Sequence, residues 1–388
     1  MNTNREESRM MFKERPEAVI ELDWRKNIRL PGSVKMRINI TTVYSGENSG
    51  CFLQAWALNQ QLSNMGHDVY FRGYKFNNYT PRIKFINFTK CCLRFRWRRA
   101  IDLIIKNRDY KYFQKTVKVS DNKILPDLTF FGSDTLWNFD DPYFAKHTSF
   151  FTGADIGDCP KFAYSISVGS TSKENFLRHT EAIQHIQNFK NIAVRDKHTR
   201  SVLAEIYPSE NIVKTIDPTM LLNREDYLQH FSVKTPTPTK SLVIYYFGTI
   251  PAPVWKELRA FAKEKGLTIV NVGLHNDNDA DMSVVATPAK FISAFANAEY
   301  IFTNTFHGCV FSTIFNKQFA TDGINKKKIA CFLEEFSLCD RVVRTAGDVE
   351  MVLTTPVNYS YVNELVEEGR KRSIDYLNNC IREVKAHE

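Results

Sequence analysis

The feature that most restricts this chain is a repeated unit: a short apolar run, a polar turn, then a helix with one apolar face. A single unit leaves its faces uncovered, whereas a series of them builds a parallel sheet flanked by helices, an α/β fold. "KMRINITTV" opens the series with Ile38 and Ile40 alternating, and a Gly/Ser/Asn turn leads into "CFLQAWALNQQLSNMG". There Ala55, Leu58, Leu62 and Met65 share a helical face, and Gly66 supplies the stop. "HDVYFRGY" is the next strand, completing a βαβ opening. "LTFFGSD", "KFAYSISVGS", "NIAVRDKHTRSVLAEI" and "IVKTIDPTMLL" continue the pattern.

"SVKTPTPTK" interrupts it, because a Thr/Pro-rich stretch cannot be helical and suits a linker. The alternation then restarts with "SLVIYYFG", "PAPVWKELRAFAKEKG", "LTIVNVG", "TPAKFISAFANA" (opened by Thr287 and Pro288) and "EYIFTNTFHG". The expected organisation is an extension over 1–35, a Rossmann-like domain over 36–231, a linker over 232–240, a second Rossmann-like domain over 241–355 and a C-terminal helix over 356–388. That last helix is charged enough to be expected on the surface. Two doubly wound domains facing a cleft place functional residues at the carboxyl ends of their strands.

At 388 residues the chain is long enough for two such cores. Its net charge of +9 favours anionic partners such as phosphorylated metabolites or lipid head groups. It carries no known nucleic-acid motif, so nucleic acid is not an expected partner. None of the eight cysteines forms a C-x-x-C pair, and they are expected to be reduced, small core residues rather than metal ligands. The charged N-terminal stretch has no apolar h-region, and no apolar run approaches the roughly 20 residues that span a bilayer. A cytoplasmic protein is the expectation.

Five turns at strand ends carry the candidate chemistry. In "YSGENSGCF", Gly46 and Gly50 let backbone N–H groups approach an anion at a helix N-terminus, with Asn48 beside them; no Lys-Ser or Lys-Thr follows, so this is no Walker loop. "FFGSDTLWNFD" offers Ser133, Asp134 and Trp137, a carboxylate and an aromatic plate suited to a sugar, or else a loop cap and a core indole. In "AVRDKHTR", Arg195 either pairs with a neighbour such as Asp196 or turns its fork to a phosphate or carboxylate. Asp217 before Pro218 reads as a structural turn initiator. "TNTFHGCVF" sets His307 at a helix N-terminus after Asn304 and Thr305, with Gly308 leaving the backbone uncovered; the histidine belongs either to the core or to a site. Separately, residues 82–108 interleave Arg and Lys with Phe, Trp, Leu and Ile. As a helix this stretch either packs its apolar face on the first domain or lies at an anionic membrane surface.

Taken in order, "NSGCFLQAWAL", "FFGSDTLWN", "FAYSISVGS", "AVRDKHT", "DPTMLL" and "YIFTNTFHGCVFSTIFNKQF" resemble the polysaccharide pyruvyl transferase family, over roughly Glu47 to Arg341. The resemblance implies a two-domain fold like that of GT-B glycosyltransferases. It also implies transfer of a pyruvyl group from phosphoenolpyruvate to two sugar hydroxyls as a cyclic ketal, with Arg195 and His307 contacting phosphoenolpyruvate. Asp134 becomes the candidate for orienting or activating a hydroxyl, and Asn48, Gly50, Ser133, Trp137, Asn304, Thr305 and Gly308 complete the expected substrate contacts. No cofactor is expected, Mg²⁺ is left open, and the acceptor would be a surface or capsular glycan precursor, often carried on a polyprenyl diphosphate at the inner face of the plasma membrane. The chain departs from the family at Asn304 and Thr305 (usually Asp and Ser, or sometimes Arg), at Thr135 (usually Gln) and at Ser49 (commonly Tyr). The change at Asn304 removes an acid from beside His307. The alternatives are a nucleotide-sugar glycosyltransferase of the same shape and a non-catalytic glycan- or membrane-binding protein.

Overall fold

The computed structural model describes residues 35–44, 47–73, 81–120, 125–231, 237–274 and 280–385, with the side chains of 81–85 excepted. Nearly all of the expected extension, Gly46 and residues 232–236 of the expected linker lie outside the described residues.

The first half forms six parallel strands: β1 (Arg37–Thr41), β2 (Asp68–Phe71), β3 (Leu128–Phe131), β4 (Lys161–Ile166), β5 (Asn191–Val194) and β6 (Ile212–Lys214). They lie in the order β2-β1-β3-β4-β5-β6, with Ile38 of β1 opposite both Val69 and Leu128. The second half has β7 (Ser241–Tyr245), β8 (Thr268–Val272), β9 (Met282–Val284), β10 (Tyr300–Thr303) and β11 (Gln318–Thr321), ordered β11-β10-β7-β8-β9 and again parallel. The short β9 and the polar-edged β11 are strands that the sequence pattern does not disclose. Helices cover both faces of each sheet, so β3, β4 and β7 are buried along their whole length, as parallel strands must be. In each sheet the strand order reverses once, between β1 and β3 in the first and between β7 and β10 in the second. Crevices for ligands open at such reversals.

Helix α1 (Ser49–Asn64) follows β1 and is buried almost all round, because it lies between the two halves. Its Phe52 and Trp56 belong to one apolar cluster with Val243, Phe291 and Phe311 of the second half. Rings continue that seam: Trp56 meets Phe231 at 4.7 Å and Tyr227 meets Phe311 at 5.1 Å between centroids. The facing halves are thus held by packed aromatics as well as by the chain.

The C-terminal helix Tyr359–Lys385 is more than a surface decoration. Val362, Val366, Ser373, Tyr376, Leu377, Cys380, Ile381 and Val384 form a buried stripe at three- and four-residue spacing. Charged residues on its outer face mask that stripe in the sequence. The helix crosses back to the first half, where the Tyr376 hydroxyl donates to the Ala163 carbonyl (2.7 Å). Ser373 Oγ accepts from the Ile216 N–H (3.0 Å), and Arg370 Nε donates to the Met220 carbonyl (2.9 Å). These two bonds brace the turn after β6 on either side of Asp217. Replacing Arg370 with Ala leaves buried carbonyls unpaired, at an expected cost of about 1–3 kcal/mol. Denaturant unfolding measures it, and an unchanged midpoint would contradict the bracing role.

Candidate active site

The helix Phe306–Ile314 starts directly after β10, and its first turn is built from hydroxyls. Thr305 is the N-cap, its Oγ1 accepting from the Gly308 N–H (2.9 Å), and Thr303 Oγ1 donates to the Tyr245 carbonyl (2.6 Å). The two hydroxyls lie 3.0 Å apart, and a Cβ at residue 308 would collide with both. Thr305 and Gly308 therefore shape the turn, and the Gly308 N–H, expected to face an anion, is spent on the cap.

Asn304 is also a strut. Its Oδ1 accepts from the Phe247 N–H and its Nδ2 donates to the Phe247 carbonyl, both at 2.9 Å. A carboxylate at this position accepts the N–H but has no proton for the carbonyl, which explains why an amide suits this chain. The Asn304 carbonyl in turn takes Lys326 Nζ (2.7 Å). Among the described contacts Asn304 is thus occupied by the fold.

His307 reaches across to the first half. A Cβ on Gly50 would overlap the imidazole (2.6 Å from Cγ), so Gly50 is needed for the ring rather than for an anion. Asn48 caps α1, accepting from the Gly50 and Cys51 N–H groups at 2.9 and 3.3 Å, which occupies the donors expected to cradle a phosphate. Ser49 Oγ lies 2.8 Å from the Tyr110 hydroxyl, a phenol brought by another helix.

Asp134 is half-buried at the end of β3. Its Oδ1 accepts from the Thr135 N–H (2.7 Å) and its Oδ2 from Cys51 Sγ (3.3 Å). Burial first, and then the Asp134 charge, pushes the Cys51 thiol well up, so it stays protonated as a donor. Cys51 therefore makes a polar contact with Asp134 and is not merely a core filler. All eight cysteines are free. The buried Gln54, hidden in the apolar run of α1, links the loops after β1 and β3. Its amide donates to Thr42 Oγ1 (3.0 Å) and its carbonyl oxygen accepts from Ser133 Oγ (2.8 Å). Ser133 is fully buried in that link and does not face a substrate.

Trp137 corrects an expectation outright. It is fully buried, donates Nε1–H to the Phe151 carbonyl (3.0 Å) and meets Phe189 edge-on, so it is core and offers no plate to a sugar.

Arg195 and Asp217 form the buried centre. Arg195 Nη1 donates to Asp217 Oδ2 (3.0 Å) and to the Ser133 carbonyl (3.3 Å), and its guanidinium carbon stands 4.6 Å from the centre of the Phe306 ring. Its partner is thus Asp217 and not the adjacent Asp196, which instead caps the helix Lys197–Leu203. His307 Nε2 lies 3.8 Å from the same Asp217 oxygen, in electrostatic reach but too far for a hydrogen bond. The other Asp217 oxygen accepts from the Thr219 N–H (3.1 Å) and Oγ1 (2.7 Å). Arg195 Nε and His307 Nε2 are buried without a hydrogen-bond partner among the described residues. Burial alone raises a carboxyl pKa, but His307, Arg195 and Thr219 overturn that and hold Asp217 well below the usual carboxylate range. Asp217, read from sequence as a turn initiator, does initiate the turn and also stands between Arg195 and His307.

A pocket opens beside this centre, lined by Arg195, Asp217, Phe306 and Lys328 among others. Lys328, on the helix Lys327–Glu335, has Nζ 5.9 Å from the Phe306 ring centre. Partial loss of water, followed by repulsion from Arg195, lowers its pKa, while Asp134 and Cys51 oppose the shift. Sequence reasoning missed this second cation, because a lysine in "NKKKIACF" looks like any other surface charge. Among the described residues no cluster of three or more His, Cys, Asp or Glu could hold a metal ion.

Two parallel, helix-covered sheets with their strand reversals joined at one site define a GT-B-like α/β protein. UDP-GlcNAc 2-epimerase from Neisseria meningitidis, solved bound to UDP-GlcNAc, aligns with 90% of this chain and 100% of its own at a TM-score of 0.52. Identity is 8%, so that likeness shows the fold alone. UGT71G1 of Medicago truncatula, complexed with UDP-glucose, aligns with 90% of this chain and 98% of its own at a TM-score of 0.49 and 10% identity. No curated protein matches the sequence. Residues 48–321 match the polysaccharide pyruvyl transferase family. The chain belongs to that family of transferases, and the family implies a polysaccharide acceptor.

Asp217→Asn strips the counter-charge from buried Arg195, with an expected loss of about 3–5 kcal/mol at neutral pH. Because the native pKa of Asp217 is depressed, its stabilisation is present above the unfolded value of about 4 and fades as pH falls below it. Thermal unfolding of both proteins from pH 7 to pH 3 should show the gap narrowing only in acid. A gap independent of pH would refute the charge assignment.

Proposed function

We propose that this protein transfers the pyruvyl group of phosphoenolpyruvate to two hydroxyls of a sugar in a surface polysaccharide precursor, as a cyclic ketal. The observation that carries this reading is a small pocket where Arg195 of the first half meets Lys328 of the second, with Asp217 reaching from Arg195 towards His307 of the second half. Phosphoenolpyruvate presents a phosphate and a carboxylate within a few atoms, and two cations at one pocket match that charge.

In the proposed reaction, protonated His307 gives its proton to carbon 3, which makes carbon 2 electrophilic. The first sugar hydroxyl attacks carbon 2 as its proton passes to Asp134, which has lone pairs left after bonding Thr135 and Cys51. The second hydroxyl then displaces the phosphate from carbon 2 and closes the ketal, and its proton leaves with inorganic phosphate. Asp217 takes no proton. It fixes Arg195 and stands 3.8 Å from His307 Nε2. Arg195 and Lys328 balance the negative charge of the departing phosphate. The acceptor that suits such an enzyme is a glycan carried on a polyprenyl diphosphate, and a capsular precursor is one instance.

Incubation with phosphoenolpyruvate and a panel of lipid-linked oligosaccharides, scored by glycan mass gain and phosphate release, tests the reading. His307→Ala is expected to lower kcat by about 10²–10⁴-fold, the usual span for loss of a general acid. Lys328→Met is expected mainly to raise KM for phosphoenolpyruvate. Near-normal turnover in His307→Ala and Arg195→Ala together would sink the assignment. Stabilisation by UDP-sugars but not by phosphoenolpyruvate in a thermal-shift screen would favour a glycosyltransferase.

A further inference from the structure

The stretch 82–108 lies in a helical hairpin, α2 (Pro81–Leu93) and α3 (Trp97–Thr116), whose apolar side chains around the tip are exposed. In the 20 residues of α3 only Ala100 and Tyr110 are buried. Around the tip, Leu93 is 80% exposed, Phe95 82% and Trp97 57%, and Ile101 and Ile104 continue the uncovered apolar row. Exposed Arg94, Arg96 and Arg98 alternate with those rings.

Phe95 is the most informative of them. It ends α2 in a Schellman turn, with the Phe95 N–H donating to the Cys92 carbonyl (3.0 Å) and the Arg96 N–H to the Cys91 carbonyl (2.9 Å). Its φ of 54° is the left-handed conformation in which glycine is the usual residue. A phenylalanine held there with its ring in water brings the fold no packing that glycine would lack.

The root of the hairpin is the opposite of its tip. The Tyr110 hydroxyl is fixed to Ser49 Oγ (2.8 Å) and to the Ala286 carbonyl (3.2 Å), and Lys290 lies 3.7 Å from Asp109. Ser49 belongs to the first half, and Ala286 and Lys290 to the second. Trp97 precedes Tyr110 by thirteen residue steps along α3, a rise of about 20 Å between the tip and the junction of the halves.

We propose that this tip docks the protein on an anionic lipid surface. Leu93, Phe95 and Trp97 enter the interfacial layer, and Arg94 and Arg98 meet the phosphate head groups. Among the described residues no helix is long and apolar enough to cross a membrane, so the attachment is peripheral and reversible. Charge complementarity selects an anionic partner, and the aliphatic Leu93, Ile101 and Ile104 select a bilayer over nucleic acid, whose bases stack on aromatic planes. Because the root is held by both halves, a docked tip fixes which way the cleft faces the lipid. The proposal goes beyond the transfer reaction and does not depend on the identity of the donor.

Co-sedimentation of the full chain with phosphatidylcholine vesicles, with and without phosphatidylglycerol, tests it. Wild type should bind only the anionic vesicles, less so at high salt, and Trp97 emission should shift to the blue. The variant Leu93→Ser/Phe95→Ser/Trp97→Ser should lose binding by about tenfold or more, and Arg94→Glu/Arg98→Glu should lose it too. Both sets of changes sit at exposed positions, and an unaltered melting curve verifies their fold. Absence of vesicle binding by wild type overturns the proposal. So does full binding by the triple serine variant, which would reveal mere attraction to polyanions. Tight RNA binding abolished only by the arginine changes would assign the patch to nucleic acid instead.

Discussion

The buried pair of Arg195 and Asp217 is the interaction on which the rest of the site depends. Removing two charges from water is costly, and their attraction offsets that cost only where further hydrogen bonds complete the geometry. Here Thr219 takes the second carboxylate oxygen, the Ser133 carbonyl takes part of the guanidinium, and Phe306 lies against its face. A pair so enclosed adds little net stability over an apolar core. What it gives is a fixed orientation, because neither partner can turn without leaving a bare charge in the interior. His307, from the other half of the molecule, faces that fixed pair at 3.8 Å from the Asp217 carboxylate.

Much of the remaining architecture holds this centre. The C-terminal helix grips the backbone on both sides of Asp217 through Ser373 and Arg370. Gln54 ties the β1 and β3 loops, and thereby the strand end that carries Asp134. Asn304 locks the turn before His307 to the loop after β7. Gly50 lets the imidazole cross the junction. Each of these residues is polar or small, and each acts on Asp217, Asp134 or His307 or on the backbone that carries it.

That distribution explains what the sequence made legible. The α/β class and the positions of the polar turns follow from local periodicity, which is a property of neighbouring residues. His307, Asp134 and Arg195 stand out in the sequence because their turns end strands. Which groups those side chains meet depends on register between strands far apart in sequence. Asp217 therefore looked like a turn residue, and Asp196, next to Arg195, looked like its partner. Trp137 shows the same limit in reverse, since an indole beside a carboxylate reads alike whether it faces a sugar or Phe189. Lys328 had no local mark at all. The C-terminal helix was misjudged because its buried stripe includes Ser373 and Arg370, whose polarity is satisfied by backbone groups of the first half.

The proposed reaction needs one anionic donor held between Arg195 of the first half and His307 of the second. A crystal structure with phosphoenolpyruvate bound tests it most directly. The proposed reaction requires the phosphate or carboxylate at the Arg195 guanidinium and carbon 3 turned towards the His307 ring. Phosphoenolpyruvate bound away from the pair, or held by one half alone, would contradict it.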